Sequence, residues 1–499
     1  MKHLGCTAYY NGVQTTLINQ WMKPRSLSGQ WGGGYVGSDR LFDIYQRALS
    51  WSNLFKGANT AWNWHGSAFN GDSSPTENLR SYCDEFNLLK RGLAKLLLSA
   101  ESLQSPVAVL YSQPSLFTAM AGGLGQAEWQ NTQTGWDELL RDLKLDATYI
   151  TYENLADPGF DLSRFKIVLL PQALALSEAE RANLVRFAEQ GGTVIADVAP
   201  GRYDSHGKRI AGTVLDKLFP ANTGAIAPRM TDLDQGFLRG RFRIVEPALG
   251  TVIKTACGKG CGVLLNVSLS SYQALVIGGG GELASAAGGS AAYCQSLRRL
   301  VGQLAADAQA LPHAAVTDAK GTLIPSQSVL KKAGRNYYFG LLRYTDLMKP
   351  GKIDFADAPL LSVKLPVSGV IYDVRAGRKI AAGNAFQVKA PDGYGQLFAV
   401  LPAEVAPVQV SGPDTVTPGG VVRLSCVAPG AESTTVYRLE LFAPDGKEQK
   451  IYARNRCFDT ARGTFEFQIP CDAPQGKWRA VVTHVAGGQR GEKSFQVGK

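Results

Sequence analysis

The chain has 499 residues, which is several domains' worth because a domain usually has about 100–200 residues. Its hydrophobic fraction of 45%, its charged fraction of 19%, its 55 glycines and its 24 prolines indicate a globular protein rich in turns and strands, and they exclude a helical bundle. The net charge of +10 is spread thinly, without a long Lys/Arg run, so we expect no nucleic-acid partner.

The same sequence gives no sign of a membrane or metal partner. No apolar run approaches the roughly 18 residues of a membrane span, and the first twenty residues lack the layout of a signal peptide. We therefore expect a soluble chain, cytoplasmic or else exported if residues are missing upstream. Cys257 and Cys261 have no further zinc ligands nearby and fit a β-hairpin, so we predict no metal and no cofactor. Cys426, Cys457 and Cys471 could form one disulfide in an exported protein.

An aromatic cluster lies between Trp51 and Asp72, beside a short run typical of a strand. Flat aromatic faces stack on the apolar side of a sugar ring, and nearby polar groups hydrogen-bond its hydroxyls. The alternative is an aromatic core, because tryptophan is more often buried than bound to a ligand. We predict a substrate-binding platform formed by Trp31, Trp62, Trp64, His65, Asn70 and Asp72.

The sequence around this cluster resembles a known enzyme family. The run WSNLFKGAN, a strand ending in W-x-W, a polar loop with D-S-S-P-T and the segment ENLRSYCDEFNLLKRGLAKLL resemble the last βα unit of the (β/α)8 barrel in family 42 β-galactosidases. The resemblance implies that residues 1–104 are the C-terminal part of such a barrel, with functional groups on loops after the strands. A whole barrel has roughly 250 residues, so an upstream segment or a partner chain would have to complete it.

The catalytic carboxylates are not evident in this first segment. Retaining glycosidases need two of them about 5–5.5 Å apart, yet no Asp or Glu occurs from Met1 to Ser38. Asp39 and Asp43 are the candidates, although both precede a helical pattern, where acidic residues are favoured by the helix dipole. A further option pairs Asp39 with Glu77 or Glu85, but these glutamates lie in or before the predicted helix that carries Arg80 and Leu88, and we interpret them as helix charges.

A second segment begins after Ser105-Pro106, where strand and helix patterns alternate as in a parallel α/β sheet. Ser177 and Glu180 predict a capping box at one of its helices. The strings VLLPQALALSEAE and GGTVIADVAPGRYDSHGK resemble the amidotransferase-like trimerisation domain of family 42 β-galactosidases. The resemblance implies a flavodoxin or class I amidotransferase-like domain over residues 105–310 and a homo-oligomer, with a trimer favoured.

This second segment lacks the nucleophile of an active amidotransferase. An enzyme of that fold needs a cysteine on a tight turn from strand to helix, and no cysteine occurs between Asp84 and Ala256. Its role is then architectural, or its loops border a substrate site. The loop PGRYDSHGKR offers Arg202, Tyr203 and His206 as candidate substrate contacts, whereas a surface histidine is usually only solvated.

Alternating patterns then predict two antiparallel β-sandwich modules, over residues 311–405 and 406–499. In the first module, GVIYDVRAG resembles a hairpin of accessory β domains in glycoside hydrolases, and we assign Tyr372 and Arg375 to cross-strand packing. The second module resembles an immunoglobulin-like domain, and we interpret it as a spacer that packs one buried tryptophan, Trp478, rather than as a carbohydrate-binding face.

The order of these segments predicts an α/β plus β protein similar to the downstream part of a family 42-like glycoside hydrolase. The implied function is β-galactosidase-type hydrolysis of β-linked glycans, with the catalytic carboxylates supplied by missing barrel strands or a partner chain. The alternative is a non-catalytic glycan-binding or assembly protein derived from such an enzyme. The lack of acidic residues before Asp39 favours this alternative, and whether the chain alone is an enzyme stays open.

Overall fold

A computed structural model describes residues 7–9, 12–22, 27–32, 41–63, 68–122, 125–220, 252–265, 269, 272, 291–343 and 349–498. Side chains are described at these positions except 7–9, 12, 14–15, 30–32, 61–63, 125–128 and 291–293. The chain divides into two compact units. The α/β unit comprises Met1–Ser26, Gln30–Tyr35 and Gln104–Pro312, and the β-rich unit comprises Leu27–Gly29, Val36–Leu103 and His313–Lys499.

The first hundred residues alternate between short strands and helices. Their elements are β1 (Thr7–Tyr9), α1 (Gly12–Trp21), β2 (Ser28–Gly32), α2 (Asp43–Phe55), β3 (Thr60–Asn63), α3 (Glu77–Leu88), α4 (Ala94–Leu98) and β4 (Glu101–Ser102). Helix α3 begins after Thr76, whose hydroxyl accepts a hydrogen bond from the Leu79 N–H. A π-helical turn over Leu89–Leu93 separates α3 from α4, and Gly92 within it has a φ of 117°. Only glycine adopts that conformation without strain, so the turn depends on Gly92.

A six-stranded sheet forms the centre of the α/β unit, in the order β6-β5-β7-β8-β10-β9. All neighbours are parallel except the β9–β10 hairpin. This hairpin carries Cys257 and Cys261, as predicted. The strands are β5 (Val107–Tyr111), β6 (Ala147–Thr151), β7 (Ile167–Leu170), β8 (Thr193–Ala196), β9 (Ile253–Cys257) and β10 (Gly260–Leu264). The helices are α5 (Gln113–Ala121), α6 (Gly125–Asp142), α7 (Tyr152–Ala156), α8 (Glu178–Glu189) and α9 (Ala291–Asp307).

Two apolar cores cover the two faces of this sheet. Successive side chains of a strand point to opposite faces, so Val107 and Val109 join the core formed with α6 and α9, whereas Ala108 and Leu110 join the core formed with α8. The predicted capping box is present, since Ser177 and Glu180 exchange hydrogen bonds at the start of α8. Because β5, β6, β7, β8 and β10 are parallel, their carboxyl ends lie at the same edge of the sheet.

The β-rich unit contains a seven-stranded sheet, ordered β11-β14-β16-β13-β12-β4 with β15 paired to β14. Helix α2 packs against this sheet: the Gln327 side chain donates to the Ser52 carbonyl at 3.0 Å, and Trp51 lies directly against Gly395. The added strands are β11 (Ala315–Thr317), β12 (Gln327–Ala333), β13 (Asn336–Leu342), β14 (Leu360–Asp373), β15 (Arg378–Lys389) and β16 (Gln396–Leu401).

The last part of this unit contains a three-stranded sheet, β17-β19-β22, and a five-stranded sheet, β18-β24-β23-β20-β21. Trp478 is 2% exposed and donates its indole N–H to the Pro474 carbonyl, as expected of a buried packing residue. The strands are β17 (Gln409–Ser411), β18 (Thr415–Val416), β19 (Val421–Val427), β20 (Thr435–Phe442), β21 (Arg454–Phe458), β22 (Arg462–Gln468), β23 (Gly476–His484) and β24 (Arg490–Val497).

The fold is a mixed α/β structure with substantial sheet content, which agrees with the predicted α/β plus β class. The domain boundaries at residues 104, 310 and 405 stay predictions. Cys426, Cys457 and Cys471 are free thiols. Within the described ranges, no helix is both long enough and apolar enough to cross a bilayer.

Candidate functional site

A cavity of about 640 Å³ lies in the α/β unit, beyond the carboxyl ends of β5 and β6. Ligands of parallel α/β sheets bind outside the carboxyl ends of the strands, so the cavity occupies the edge where a binding site is expected. Its walls come from α5, from the start of α7 and from the loop after β8. The lining residues are Gln113, Pro114, Phe117, Thr118, Ala121, Gly122, Tyr152, Tyr203, Ser205, His206 and Gly207.

Helix α5 forms the first wall. Ser112 caps this helix, since its hydroxyl oxygen accepts a hydrogen bond from the Ser115 N–H at 3.2 Å. The Ser115 hydroxyl donates to the Ala175 carbonyl and accepts from the Ala175 N–H, both at 3.0 Å. These bonds fix the start of α5 against the chain that follows β7. Phe117, whose side chain is 63% exposed, then lines the cavity from this fixed helix.

The loop after β8 forms the second wall, and the side chain of Asp204 stabilises the turn within this loop. One oxygen of the Asp204 carboxylate accepts the backbone N–H groups of His206 and Lys208, each at 2.9 Å. Hydrogen bonds from the backbone, that of Lys208 first, hold the pKa of the Asp204 carboxyl below its usual range. The imidazole of His206 is exposed to solvent at the cavity. The loop is therefore a tight turn that presents His206.

Tyr203 is held in this second wall by its backbone and by its ring. Its N–H donates to the Leu174 carbonyl at 3.0 Å, and its carbonyl accepts the Leu176 N–H at 3.1 Å. The ring packs against a buried cluster formed by Ala119, Trp129 and Leu174. The tyrosine is thus held in the wall of the cavity.

The lining combines aromatic rings with hydrogen-bonding side chains, which is the composition that binds sugars by stacking and by hydrogen bonds to hydroxyls. Phe117, Tyr152 and Tyr203 supply the rings. None of the described residues that line the cavity is Asp or Glu. This lining therefore offers a binding surface without a carboxylate for acid–base or nucleophilic chemistry.

Two of the three predicted loop contacts line this cavity, namely Tyr203 and His206, whereas Arg202 is not among its lining residues. Sequence reasoning missed Phe117 and Tyr152. The signal that points to them is their position, since α5 begins two residues after β5 and Tyr152 directly follows β6. Direct contact of any of these residues with a substrate stays a prediction.

The predicted aromatic platform is described only in part. Trp64 and His65 lie outside the described residues, and Trp31 and Trp62 are described by their backbones alone, in β2 and β3. Its grouping around one sugar stays a prediction.

Asn70 and Asp72, the other members of the platform, lie on an exposed turn. Both bind Ser74: Asn70 donates its amide to the Ser74 hydroxyl at 2.9 Å, and Asp72 accepts that hydroxyl at 2.6 Å. The Ser74 hydroxyl and N–H hold the pKa of the Asp72 carboxyl below its usual range. In this conformation, the two side chains close their own turn.

Asp43 has a structural place in the β-rich unit. It is the first residue of α2 and is 5% exposed. One carboxylate oxygen accepts from Arg47 at 2.7 Å, and the other accepts the Ile353 N–H at 3.0 Å. The expected charge at a helix start is therefore present, and both oxygens are occupied. Asp39, the other catalytic candidate, lies outside the described residues.

Glu77 and Glu85 differ in a way that the sequence does not indicate. Glu77 lies in the exposed first turn of α3 and pairs with Lys352 at 3.0 Å, as a helix charge should. Glu85 is 1% exposed and accepts hydrogen bonds from Arg47, Trp51 and Arg375. It lies in helix α3, as predicted, but its carboxylate is buried. It belongs to a buried ion cluster of the β-rich unit.

The assignment of Arg375 to cross-strand packing is wrong, because its guanidinium binds the carboxylate of Glu85 in α3. Its guanidinium also lies 3.6 Å from the ring centroid of Tyr394, and donates to the Gly395 carbonyl at 3.0 Å. Tyr372 does pack in the core, and its hydroxyl accepts the Val405 N–H at 2.9 Å. The cluster around Glu85 joins helix to sheet by electrostatic and aromatic contacts together.

Comparisons with known proteins give structural neighbours only. No protein-family model matches the chain, and no curated protein matches it. The chain is similar to the structure of a catalytic mutant of a GH42 β-galactosidase from G. stearothermophilus, with 14% identity and a TM-score of 0.49 over 78% of this chain and 56% of that one. It is similar to a β-galactosidase from Bacillus circulans sp. alkalophilus, with 12% identity and a TM-score of 0.46 over 75% and 60%.

A third similar structure is an exo-carrageenase of GH42 from Bacteroides ovatus, with 13% identity and a TM-score of 0.41 over 78% of this chain and 44% of that one. The chain thus spans between 44 and 60% of the length of these three structures. Family 42 β-galactosidases, which the sequence resembles, are therefore also among the solved structures to which this chain is similar.

Proposed function

We propose that this chain works in carbohydrate processing as part of a glycoside hydrolase of β-galactosidase type, and that its own contribution is sugar recognition. The observation that carries the proposal is the cavity at the carboxyl edge of the α/β sheet, which Phe117, Tyr152, Tyr203 and His206 line. Aromatic faces beside hydrogen-bonding side chains suit a sugar ring. The substrate class is a β-linked glycan, in keeping with the resemblance to family 42 β-galactosidases.

Catalysis in this proposal requires carboxylates from outside the described site. A retaining mechanism needs two carboxylates, one on each side of the anomeric carbon. Asp43 and Glu85, the buried candidates that the structure describes, already have their oxygens occupied by structural partners. The missing pair would come from upstream barrel strands or from a partner chain.

Two measurements test the proposal. Calorimetric titration with β-linked galacto-oligosaccharides should show binding to the purified chain, and Tyr203→Ala should weaken it. Hydrolysis of an aryl β-galactoside should be absent with the chain alone and should appear when the protein encoded directly upstream is added. Robust turnover by the chain alone that Asp39→Asn abolishes would contradict the assignment of catalysis to another segment.

The predicted platform near the N-terminus is tested separately. If Trp62 and Trp64 stack on the sugar, Trp64→Ala should weaken oligosaccharide binding while the protein stays folded. Unchanged affinity in that variant would remove the platform from the proposal without affecting the cavity. A homo-oligomer, with a trimer favoured, is also part of the proposal, and light scattering at micromolar concentration tests it.

A second candidate function is glycan binding or assembly without catalysis. The absence of any carboxylate among the described lining residues of the cavity favours it. Both candidates expect binding, so turnover separates them. Oligosaccharide binding without turnover, both alone and with the upstream protein, would select the non-catalytic function.

A further inference from the structure

One short segment connects two of the cavity walls, α5 and the loop after β8. Residues 172–176, which follow β7 and are here called the 172–176 segment, bond to both. Ala175 exchanges two hydrogen bonds with Ser115 of α5. Leu174 and Leu176 each form a backbone bond with Tyr203 of the loop after β8. The spacing between the two walls therefore follows the path of this segment.

The segment starts at a strained residue that a single carboxylate holds. Gln172 has a φ of 40°, in the left-handed region that residues other than glycine seldom adopt. Its N–H donates to Asp197 Oδ1 at 2.8 Å, and the Val198 N–H donates to the same oxygen at 2.6 Å. The next residue, Ala199, has a φ of 41°. The other carboxylate oxygen accepts the indole N–H of Trp136 at 3.0 Å.

Asp197 is fully buried at the end of β8, where an unpaired carboxylate is costly unless hydrogen bonds offset its desolvation. Three N–H donors surround the carboxylate and reduce this cost, and one of them belongs to Gln172. The carboxylate also lies where the chain turns from β8 towards the second wall. The Asp197 carboxylate thus binds the first residue of the 172–176 segment and the start of the loop that carries Tyr203.

We propose that Asp197 is the positioning residue of the cavity, which holds the 172–176 segment and so sets the spacing of the walls that receive the sugar. The proposal rests on the function proposed above, because it concerns the same cavity. Asp197 is not among the lining residues. It acts on the ligand through Gln172 and, by way of Leu174, through Tyr203.

Hydrogen exchange provides a test that does not need a sugar. The amides to follow are those of Ala175, Leu176 and Tyr203, which donate the hydrogen bonds between the segment and the walls. Amides of α8, in the same unit, serve as the internal reference for global opening. Exchange is measured for the wild type, for Asp197→Ala, and for Asp197→Asn, which keeps one oxygen able to accept the Gln172 N–H. Calorimetry with a galacto-oligosaccharide accompanies each variant.

Asp197→Ala should raise exchange at the three amides roughly tenfold or more relative to α8, and should weaken oligosaccharide binding. Asp197→Asn should have a smaller effect. The control is Asp157→Ala, which removes an exposed carboxylate that also accepts a backbone N–H, from Gly159 at 2.8 Å. It should leave the three amides and the affinity unchanged.

Two results would overturn the proposal: wild-type exchange at the three amides in a folded variant, or an equal rise throughout α8, which would indicate global destabilisation. If Asp197→Ala does not fold, the same criteria apply to Asp197→Asn. A wild-type protein that binds no oligosaccharide would refute the proposed function. The exchange experiment would still decide whether Asp197 positions the walls.

Discussion

Arg375 donates two hydrogen bonds to Glu85, one to each carboxylate oxygen, both at 2.7 Å and across 290 residues of sequence. Burial alone would raise the pKa of the Glu85 carboxyl, but the bonds and charge of Arg375, with help from Trp51 and Arg47, hold this pKa below its usual range. A bidentate pair of this kind fixes direction as well as distance. It fixes α3 and the turn after β14 relative to each other.

Removing one partner of this pair should destabilise the protein strongly, because the other charge would stay buried with only its weaker contacts, those of Arg47 and Trp51 in the case of Glu85. We expect Glu85→Gln or Arg375→Ala to lower the free energy of unfolding by about 3–5 kcal/mol, measured by urea denaturation. Glu492→Gln breaks the exposed pair with Arg479 in the same unit and should cost less than about 1 kcal/mol. Similar losses in both variants would show that burial does not set the strength of the Glu85 cluster.

The Glu85 cluster also predicts a dependence on acid. A carboxyl whose folded pKa is depressed contributes stability above its unfolded pKa and loses it as the pH falls through the folded value. Wild-type unfolding free energy should therefore fall more steeply below pH 4 than that of Glu85→Gln. Parallel pH curves for the two proteins, from denaturation at several pH values, would contradict this.

The Asp197 carboxyl should give stability the opposite dependence on pH. Burial, which outweighs the hydrogen bonds from Trp136, Gln172 and Val198, raises the pKa of its carboxyl to about 7. A raised folded pKa gives stability below the unfolded value of 3.8, and this stability is lost as the pH rises through about 7. The difference in unfolding free energy between wild type and Asp197→Asn should therefore shift in favour of the variant by up to about 4 kcal/mol from pH 4 to pH 8. A difference that does not change with pH would contradict the shift.

The aromatic lining of the cavity predicts a specific loss of affinity. Phe117→Ala should weaken oligosaccharide binding by about 0.5–1.5 kcal/mol beyond its lost contact area, a several-fold rise in Kd. Its ring is largely exposed, so the free energy of unfolding should change little. Ile451→Ala, which removes an 85% exposed side chain from the β-rich unit, is the matched control and should leave binding unchanged. Equal affinity of Phe117→Ala and wild type would exclude stacking at this position.

Helix α2 packs against the seven-stranded sheet so closely that Gly395 has no space for a side chain. A Cβ there would overlap the indole of Trp51, which is fully buried. We expect Gly395→Ala to lower the free energy of unfolding by about 1–3 kcal/mol or more, since overpacking shifts rotamers or backbone. At Gly71 a Cβ would meet open space, so Gly71→Ala should change stability by less than about 0.5 kcal/mol. Thermal or urea unfolding of both variants measures the contrast.

Local patterns were sufficient to predict the elements whose bonds are local. The capping box of Ser177 and Glu180 and the hairpin at Cys257 depend on residues a few positions apart, and both were predicted. The role of Glu85 was not, because its burial depends on Arg375, almost three hundred residues away. A sequence pattern shows that a glutamate lies in a helix, but not which face a distant sheet will cover.

In the candidate site, too, the residues set by local sequence were predicted and those set by distant contacts were not. Tyr203 and His206 were predicted from the polar character of their loop, and both line the cavity. Phe117 and Tyr152 join them only because the parallel strands end at one edge, which is a property of strand order rather than of local sequence. Asp197 was not predicted, since an aspartate after a strand is indistinguishable from a turn residue until its N–H donors are known.

The turn at Gly92 affects which substitutions the protein can accept at the end of α3. The Lys90 carbonyl just before it accepts the side-chain amide of Asn455 at 2.7 Å, and a Cβ on Gly92 would meet Val485 at 2.7 Å. Asn455 of β21 thus binds a backbone oxygen whose direction depends on the conformation of Gly92. A substitution at Lys90 leaves that oxygen in place, so the contact with Asn455 tolerates a new side chain at Lys90 but depends on the turn at Gly92.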